Sequence, residues 1–88
     1  MTKAQRHIGR VKDLGCVICR NLDLGATPAD AHHIYDTADR DDFLVVPLCP
    51  YHHRGAGGFH GMGERAFNRV YRTSETKLLA QTLRDLST

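Results

Sequence analysis

The sequence predicts a small α+β domain in which one hairpin of two short strands lies among helices. Capped segments with helical periodicity lie near both ends of the chain, and two short runs with β-branched residues lie in its middle. Two cysteine-containing turns of equal spacing flank those runs. A chain of 88 residues is long enough for one domain and too short for two. We therefore predict a single domain over residues 1–88.

The first predicted element is a basic N-terminal helix over residues 1–14. Thr2 is a suitable N-cap, and Gly15 is a suitable stop. Residues spaced by three or four positions give this helix one apolar face and one basic face. The apolar face carries Ile8, Val11 and Leu14, and the basic face carries Lys3, Arg6 and Arg10.

A hairpin is predicted in the middle of the chain, after a loop of residues 21–29. Residues 31–35 and 43–48 are typical of short strands. The connection of residues 36–42 is polar and too short to hold a helix, so we expect the strands to pair in antiparallel fashion. Pro47 indicates an edge strand or a strand end.

Two helices are predicted after the hairpin. The glycine-rich residues 54–61 cannot form a regular helix, and we expect a helix from about residue 63 to residue 72. Ser74 is the predicted N-cap of a C-terminal helix over residues 74–86. The predicted apolar positions are Phe67, Val70 and Tyr71 in the first of these helices, and Leu79, Leu83 and Leu86 in the second.

The composition favours a bound metal, and not a disulfide, as the additional cross-link that stabilises the fold. A domain of this size buries only a limited core and gains from a disulfide or a metal. The chain has three cysteines, so no disulfide scheme uses them all. Its first residues are polar, and no apolar run approaches the length of a membrane span. We expect a reduced, cytoplasmic setting and no membrane partner.

The cysteine spacing predicts a structural Zn²⁺ site. Cys16 and Cys19 are separated by two residues, and Cys49 and His52 repeat this spacing beyond the hairpin. Such a spacer lets one tight turn present two ligands to one tetrahedral zinc. A redox pair or free thiols are the alternatives, but the βαβ context of redox pairs is missing. The fourth ligand comes from His52 or His53, and the repeated spacing favours His52.

The remaining histidines indicate a second site. Five of the six follow residue 30, and one of these completes the zinc site. Successive strand side chains point to opposite faces, so His32 and His33 can divide two tasks, one binding a metal and the other activating water. Metal-assisted hydrolysis of phosphodiesters requires this division. As alternatives, His33 is a packed core residue, or all five histidines crowd around one structural zinc.

Four segments combine these residues in a characteristic order: Ala31-His-His-Ile34, Pro47-Leu-Cys-Pro-Tyr-His-His-Arg-Gly55, Phe59-His-Gly61, and Ala66-Phe67 with Tyr71. Together they resemble the ββα-metal nucleases, also called HNH or His-Me finger nucleases, in their zinc-stapled form. The likeness is greatest to phage Ref-type (recombination enhancement function) nucleases and spans residues 15–86. It implies a ββα-metal domain with a structural zinc knuckle and flanking helices.

The resemblance also implies roles for individual residues. His33 matches the general base, and His32, His53 and His60 match the ligands of a catalytic divalent metal. Zn²⁺, Mn²⁺, Ni²⁺ and Mg²⁺ are all conceivable, and imidazole ligands favour a transition ion over Mg²⁺. Arg54, directly after His53, is the candidate for steadying the transition-state phosphate.

One position departs from the family pattern. The middle Asn of the HNH motif lies just ahead of the second strand, where this chain has Leu44 with Phe43 and Asp42 beside it. Either Asp42 braces the loop that carries the base, or the motif lacks its middle member.

The charge distribution favours a polyanionic partner, although the net charge alone is too low to indicate DNA binding. The net charge of +2 divides into +4 over residues 1–20, −5 over residues 21–48 and +3 over residues 49–88. In the predicted helix of residues 63–72, three arginines three or four positions apart share one face, either as DNA contacts or as a solvated surface. These candidates for DNA binding are Arg65, Arg69 and Arg72.

We therefore predict a metal-dependent DNA endonuclease of low sequence specificity in a bacterial or phage-infected cell. By resemblance, it acts at DNA held by a recombinase filament. The alternatives are a non-catalytic zinc module that binds nucleic acid or a recombinase partner, and a purely structural zinc domain. The sequence indicates no oligomeric state.

Overall fold

Two antiparallel strands, β1 (Asp30–His33) and β2 (Val45–Leu48), form the sheet of this domain. The computed structural model describes residues 1–35 and 39–88, so residues 36–38 of the predicted connection lie outside the described residues. His32 is paired with Val46 and His33 with Val45. The predicted hairpin is confirmed.

Each strand is two residues shorter at its hairpin end than the sequence predicts. β1 ends at His33 and β2 begins at Val45. Asp41 explains the late start of β2, because its side chain accepts a hydrogen bond from Phe43 N–H and its carbonyl accepts one from Leu44 N–H. These bonds form a turn where residues 43 and 44 were predicted to be extended. One pairing bond, from Ile34 N–H to Leu44 O, continues beyond the end of β1.

Six helical segments occur within the described residues. The first is capped as predicted, since Thr2 and Gln5 form a reciprocal capping box, and the Ser74 hydroxyl caps the last by accepting from Lys77 N–H. In the described residues, no helix is both long and apolar enough to cross a membrane. The six segments are α1 (Lys3–Asp13), α2 (Val17–Asn21), α3 (Pro50–His53), α4 (Phe59–Met62), α5 (Glu64–Tyr71) and α6 (Glu75–Leu86).

The prediction that residues 54–61 contain no helix is wrong at their end. Phe59 begins α4, and Met62 N–H donates to Gly58 O to close its single turn. Glycine is needed in this turn, because the chain packs so closely there that a larger residue would not fit. A Cβ atom on Gly61 would overlap the carbonyl group of Gly55.

The buried faces of the last two helices also differ from the predicted ones. In α6 the buried residues are Glu75, Leu78 and Thr82, whereas Leu83 is 46% exposed. In α5, Phe67 is buried as predicted, but Val70 is 58% exposed. In both helices, the side that faces the core differs from the apolar face predicted by residue spacing. Packing against the rest of the protein, and not spacing alone, determines that side.

The core joins the sheet to the elements on either side of it. Both α1 and α6 pack against β2, and all four residues of β2 are buried. The side chains of Val11 in α1 and Leu78 in α6 are at most 2% exposed. All three cysteines belong to this core, together with Ile18, Val46, Leu48, Phe59 and Phe67.

Gly61→Ala is expected to destabilise the fold by about 1–3 kcal/mol, the usual cost of overpacking. The new methyl group meets the backbone of the 54–55 loop, which cannot rotate away as a flexible side chain would. Urea unfolding followed by circular dichroism measures the change. Gly9→Ala is the matched control, because nothing lies within 4 Å of its Cβ position in α1, and we expect it to stabilise the protein by up to about 1 kcal/mol. Equal stability of the two variants would contradict the close approach at Gly61.

Candidate functional site

Four potential metal ligands meet in the interior and form what we call the zinc cluster: Cys16, Cys19, Cys49 and His52. The three sulfurs, in chain order, lie 3.7, 3.5 and 3.3 Å from Nδ1 of His52, and the sulfurs of Cys19 and Cys49 are 3.8 Å apart. A tetrahedral zinc requires separations of about 3.8 Å between two sulfurs and about 3.6 Å between sulfur and nitrogen. The cluster fits a structural zinc ion.

Burial of the cluster also favours a cation. Each of its four residues is at most 5% exposed. Burial raises the pKa of the Cys16 thiol to about 11, because a thiolate loses its hydration there. A zinc ion supplies the positive charge that makes buried thiolates favourable.

Each half of the zinc cluster is a turn that begins a short helix. Gly15, with φ of 81°, turns the chain before Cys16, and the Cys16 sulfur accepts a hydrogen bond from Cys19 N–H at the start of α2. Cys49 directly follows β2 and is the N-cap of α3, so His52 lies in the first turn of that helix. The sheet and the N-terminal segment are thereby joined at one point.

A second group of side chains forms what we call the histidine cluster: His32, His53 and His60. Their potential ligand nitrogens all lie within 4.8 Å of one another, so the three side chains are candidates for binding one ion. The three residues come from β1, α3 and α4. His52 and His53 are consecutive in α3 and so lie about 100° apart around its axis. This separation assigns His52 to the zinc cluster and His53 to the histidine cluster.

Two carboxylates accept hydrogen bonds from the histidine cluster. Nε2–H of His32 donates to Glu75 Oε2 at 2.7 Å, and Nδ1 of His53 lies 3.4 Å from Asp30 Oδ2. Sequence reasoning missed both acids. Glu75 lies 43 residues after His32, so the sequence shows no sign of their contact. An acid at the start of a helix is also common for another reason, since it interacts favourably with the helix dipole.

Two imidazoles of this cluster, those of His32 and His60, are favoured in their neutral form. Burial, followed by the proximity of His53 and His60, lowers the pKa of His32 to about 3. Burial is also the main cause that lowers the pKa of His60. A neutral imidazole has the lone pair that coordinates a cation, so the chemistry of these donors fits a divalent metal.

His33 has a carboxylate partner of its own. Its Nε2–H donates to Asp42 Oδ1 at 2.8 Å, which leaves Nδ1 with a lone pair. The side chains of His33 and Asp42 are 16% and 51% exposed, so this pair lies at the surface and not in the core. Asp42, two residues before the position where the family pattern has its middle Asn, thus contacts the imidazole itself.

These groups open into one cleft with a volume of about 460 Å³. Its walls include the histidine cluster, His33 and Arg54, the last of which is exposed after α3. The other lining residues are Ala31, Ile34, Tyr35 and Arg40. One cleft therefore contains potential metal ligands, a free imidazole nitrogen and guanidinium groups.

A family model described as recombination enhancement, RecA-dependent nuclease, matches residues 1–86. The chain belongs to this family. The resemblance to Ref-type nucleases is therefore confirmed over nearly the whole chain, and the family's description is that of a nuclease, an enzyme that acts on nucleic acid. No curated protein and no solved structure matches the chain.

In this member of the RecA-dependent nuclease family, the predicted DNA-binding arginines lie apart from the cleft wall. Arg65, Arg69 and Arg72 are all exposed, on α5 and at its C-terminal end. None of the three lines the cleft, whereas Arg40, which the sequence did not single out, does. Arg40 was missed because it stands alone among aspartates in residues 36–42.

Proposed function

We propose that this chain is a metal-dependent endonuclease of the HNH type that hydrolyses DNA phosphodiester bonds. The observation that carries the proposal is the shared cleft, in which three imidazoles that could bind a metal, a further imidazole and an arginine side chain lie together. A structural zinc domain needs only the zinc cluster. The histidine cluster, His33 and Arg54 would have no task in it.

The order of the elements supports the ββα-metal assignment. β1, β2 and α3 follow one another in the chain, and each of β1 and α3 contributes a ligand to the histidine cluster. In this assignment, the zinc cluster fixes the start of α3 and thereby the position of His53.

The histidine cluster would hold the catalytic ion. Three imidazoles suit Zn²⁺, Mn²⁺ or Ni²⁺ better than Mg²⁺, which prefers oxygen ligands. Bound there, such an ion offsets negative charge on the scissile phosphate and on the leaving oxygen.

His33 is the proposed general base. Asp42 accepts from Nε2–H and so keeps the proton on that nitrogen, and Nδ1 is left to take a proton from the attacking water. The same contact orients the ring. Asp42 would thereby replace the middle Asn of the motif by bracing the base directly.

Arginine side chains are the proposed phosphate contacts. Arg54, on the cleft wall, is placed to bind non-bridging oxygens of the scissile phosphate. Arg65, Arg69 and Arg72 would bind the DNA backbone further away, where phosphate contacts position the duplex without reading its sequence. This set of contacts accounts for the low sequence specificity that we propose.

RecA is the proposed protein partner, since the family is described by its dependence on it. A small domain without a sequence-reading element gains its target from such a partner. We accordingly place its activity on DNA held by a RecA filament in the bacterial cytoplasm, in a host or a phage-infected cell.

The experiment that tests this function measures cleavage of plasmid DNA by the purified protein with Mg²⁺, Mn²⁺, Ni²⁺ or Zn²⁺. Each ion is tested with and without a RecA filament on the DNA. We expect nicked or cut DNA that depends on both the ion and the filament. DNA binding without cleavage under every condition would contradict the proposed endonuclease activity. It would favour the alternative of a non-catalytic zinc module.

A further inference from the structure

Glu75 bridges two groups of the cleft from the start of α6. Its Oε2 accepts a hydrogen bond from Nε2–H of His32 at 2.7 Å, and its Oε1 accepts one from the backbone N–H of Tyr35 at 2.8 Å. The side chains of Glu75 and His32 are 1% and 2% exposed. A carboxylate so deeply buried is unfavourable unless strong donors satisfy it, and here the donors belong to the site itself.

The bond to His32 determines which ring nitrogen can bind a metal. A carboxylate only accepts hydrogen bonds, so Nε2 of His32 carries the hydrogen and Nδ1 carries the lone pair. Metal-binding imidazoles characteristically have such a partner, which fixes the tautomer and raises the basicity of the ligand nitrogen.

The surroundings of Glu75 complement a negative charge on its carboxylate. It is the first residue of α6, a helix of 12 residues, whose N-terminal end carries a partial positive charge. The Tyr35 N–H adds a second donor at Oε1. Tyr35 is itself a residue of the cleft wall, so one carboxylate holds both a potential ligand and the rim beside it.

We propose that Glu75 is a positioning residue for the second metal, the divalent ion of the histidine cluster. By positioning His32, it sets the affinity of that cluster for the ion. It does so by holding His32 in the tautomer that presents Nδ1. This inference rests on the proposed function, which supplies the second metal.

Glu75→Gln separates this role from simple packing. Glutamine has nearly the same shape but an amide nitrogen in place of one oxygen, so it cannot offer an acceptor at both the His32 position and the Tyr35 position. If its oxygen stays with the Tyr35 N–H, its amide N–H faces Nε2 of His32. That nitrogen must then accept, and the hydrogen moves to Nδ1, where the metal would bind.

The affinity test uses protein that holds its structural zinc, titrated calorimetrically with Mn²⁺ or Ni²⁺. We expect Glu75→Gln to weaken binding of the second ion by about 10–100-fold and to leave the structural zinc in place. Asp85→Asn is the matched control, since it removes an acid from the same helix that pairs with Arg20 outside the cleft. It should bind the second ion as the wild type does. A less than twofold change in Glu75→Gln would overturn the inference.

A measurement on the wild type keeps the inference testable should the variant fail to fold. Long-range ¹H–¹⁵N NMR spectra report the tautomer of His32 in protein that holds only the structural zinc. We expect hydrogen on Nε2, and hydrogen on Nδ1 would overturn the proposed role. Wild-type protein that takes up no second ion would instead contradict the proposed function. Two ions in wild type with unchanged affinity in Glu75→Gln would contradict only the role of Glu75.

Discussion

Replacing His33 by alanine is expected to lower the rate of metal-dependent DNA cleavage by about 10²–10⁴-fold, the usual contribution of a general base. The variant loses the Nδ1 lone pair that would accept a proton from water. It should keep its fold, because His33 is partly exposed and its partner Asp42 is half-exposed. It should also keep both metal sites, because His33 belongs to neither cluster.

Initial rates of plasmid nicking test this result, measured on DNA that carries a RecA filament and with the ion that best supports cleavage by wild type. His7→Gln is the matched control, since His7 lies in α1, bonds to Phe43 O and is not a residue of the cleft wall. Glutamine keeps a donor for that bond, and we expect wild-type cleavage. Added imidazole should partly restore cleavage by His33→Ala. Equal rates for wild type and His33→Ala would exclude His33 as the base.

Loss of the structural zinc is expected to unfold the domain. Zinc binding to such sites contributes on the order of 10–16 kcal/mol, which is comparable to or larger than the total stability of a small domain, about 5–15 kcal/mol. All four ligands of the zinc cluster are buried, and together they join the start of α2 to the end of β2. Without the ion, the chain would retain buried cysteines at its centre and only a small core around them.

Cys19→Ser, followed by circular dichroism and urea unfolding, measures this effect. We expect loss of helical signal or of a cooperative transition. His60→Ala is the control, since it removes a half-buried ligand of the histidine cluster and leaves the zinc cluster complete. It should unfold cooperatively, as wild type does. If Cys19→Ser unfolded cooperatively with a free energy of unfolding within about 2 kcal/mol of that of wild type, zinc would not be the main stabilising cross-link of the fold.

The sequence was most informative where a pattern is local. The capped ends of α1 and α6, the hairpin and the matched spacers of the zinc cluster all depend on residues a few positions apart. The same holds for the choice of His52 over His53 as a ligand of the zinc cluster, which the repeated spacer of two residues predicted. For such features, spacing alone carries the geometry.

The sequence failed where a contact joins distant parts of the chain. Glu75 is buried against His32 from β1, and nothing near it in the sequence identifies that partner. Leu83 was predicted to lie in the core and is exposed, because packing against β2 turns Glu75, Leu78 and Thr82 inward. The α4 turn was missed because glycine content reads as a loop, although glycine was needed there for the close approach to Gly55.

The central claim is that this chain divides its ligands between two metal sites, with His52 in one and His53 in the other. Native mass spectrometry, with element-specific quantification of the bound metal, tests that claim most directly. We predict two ions per wild-type chain and one per His53→Ala chain, in which the structural zinc remains. A single ion in wild type, or loss of the structural zinc from His53→Ala, would contradict the account.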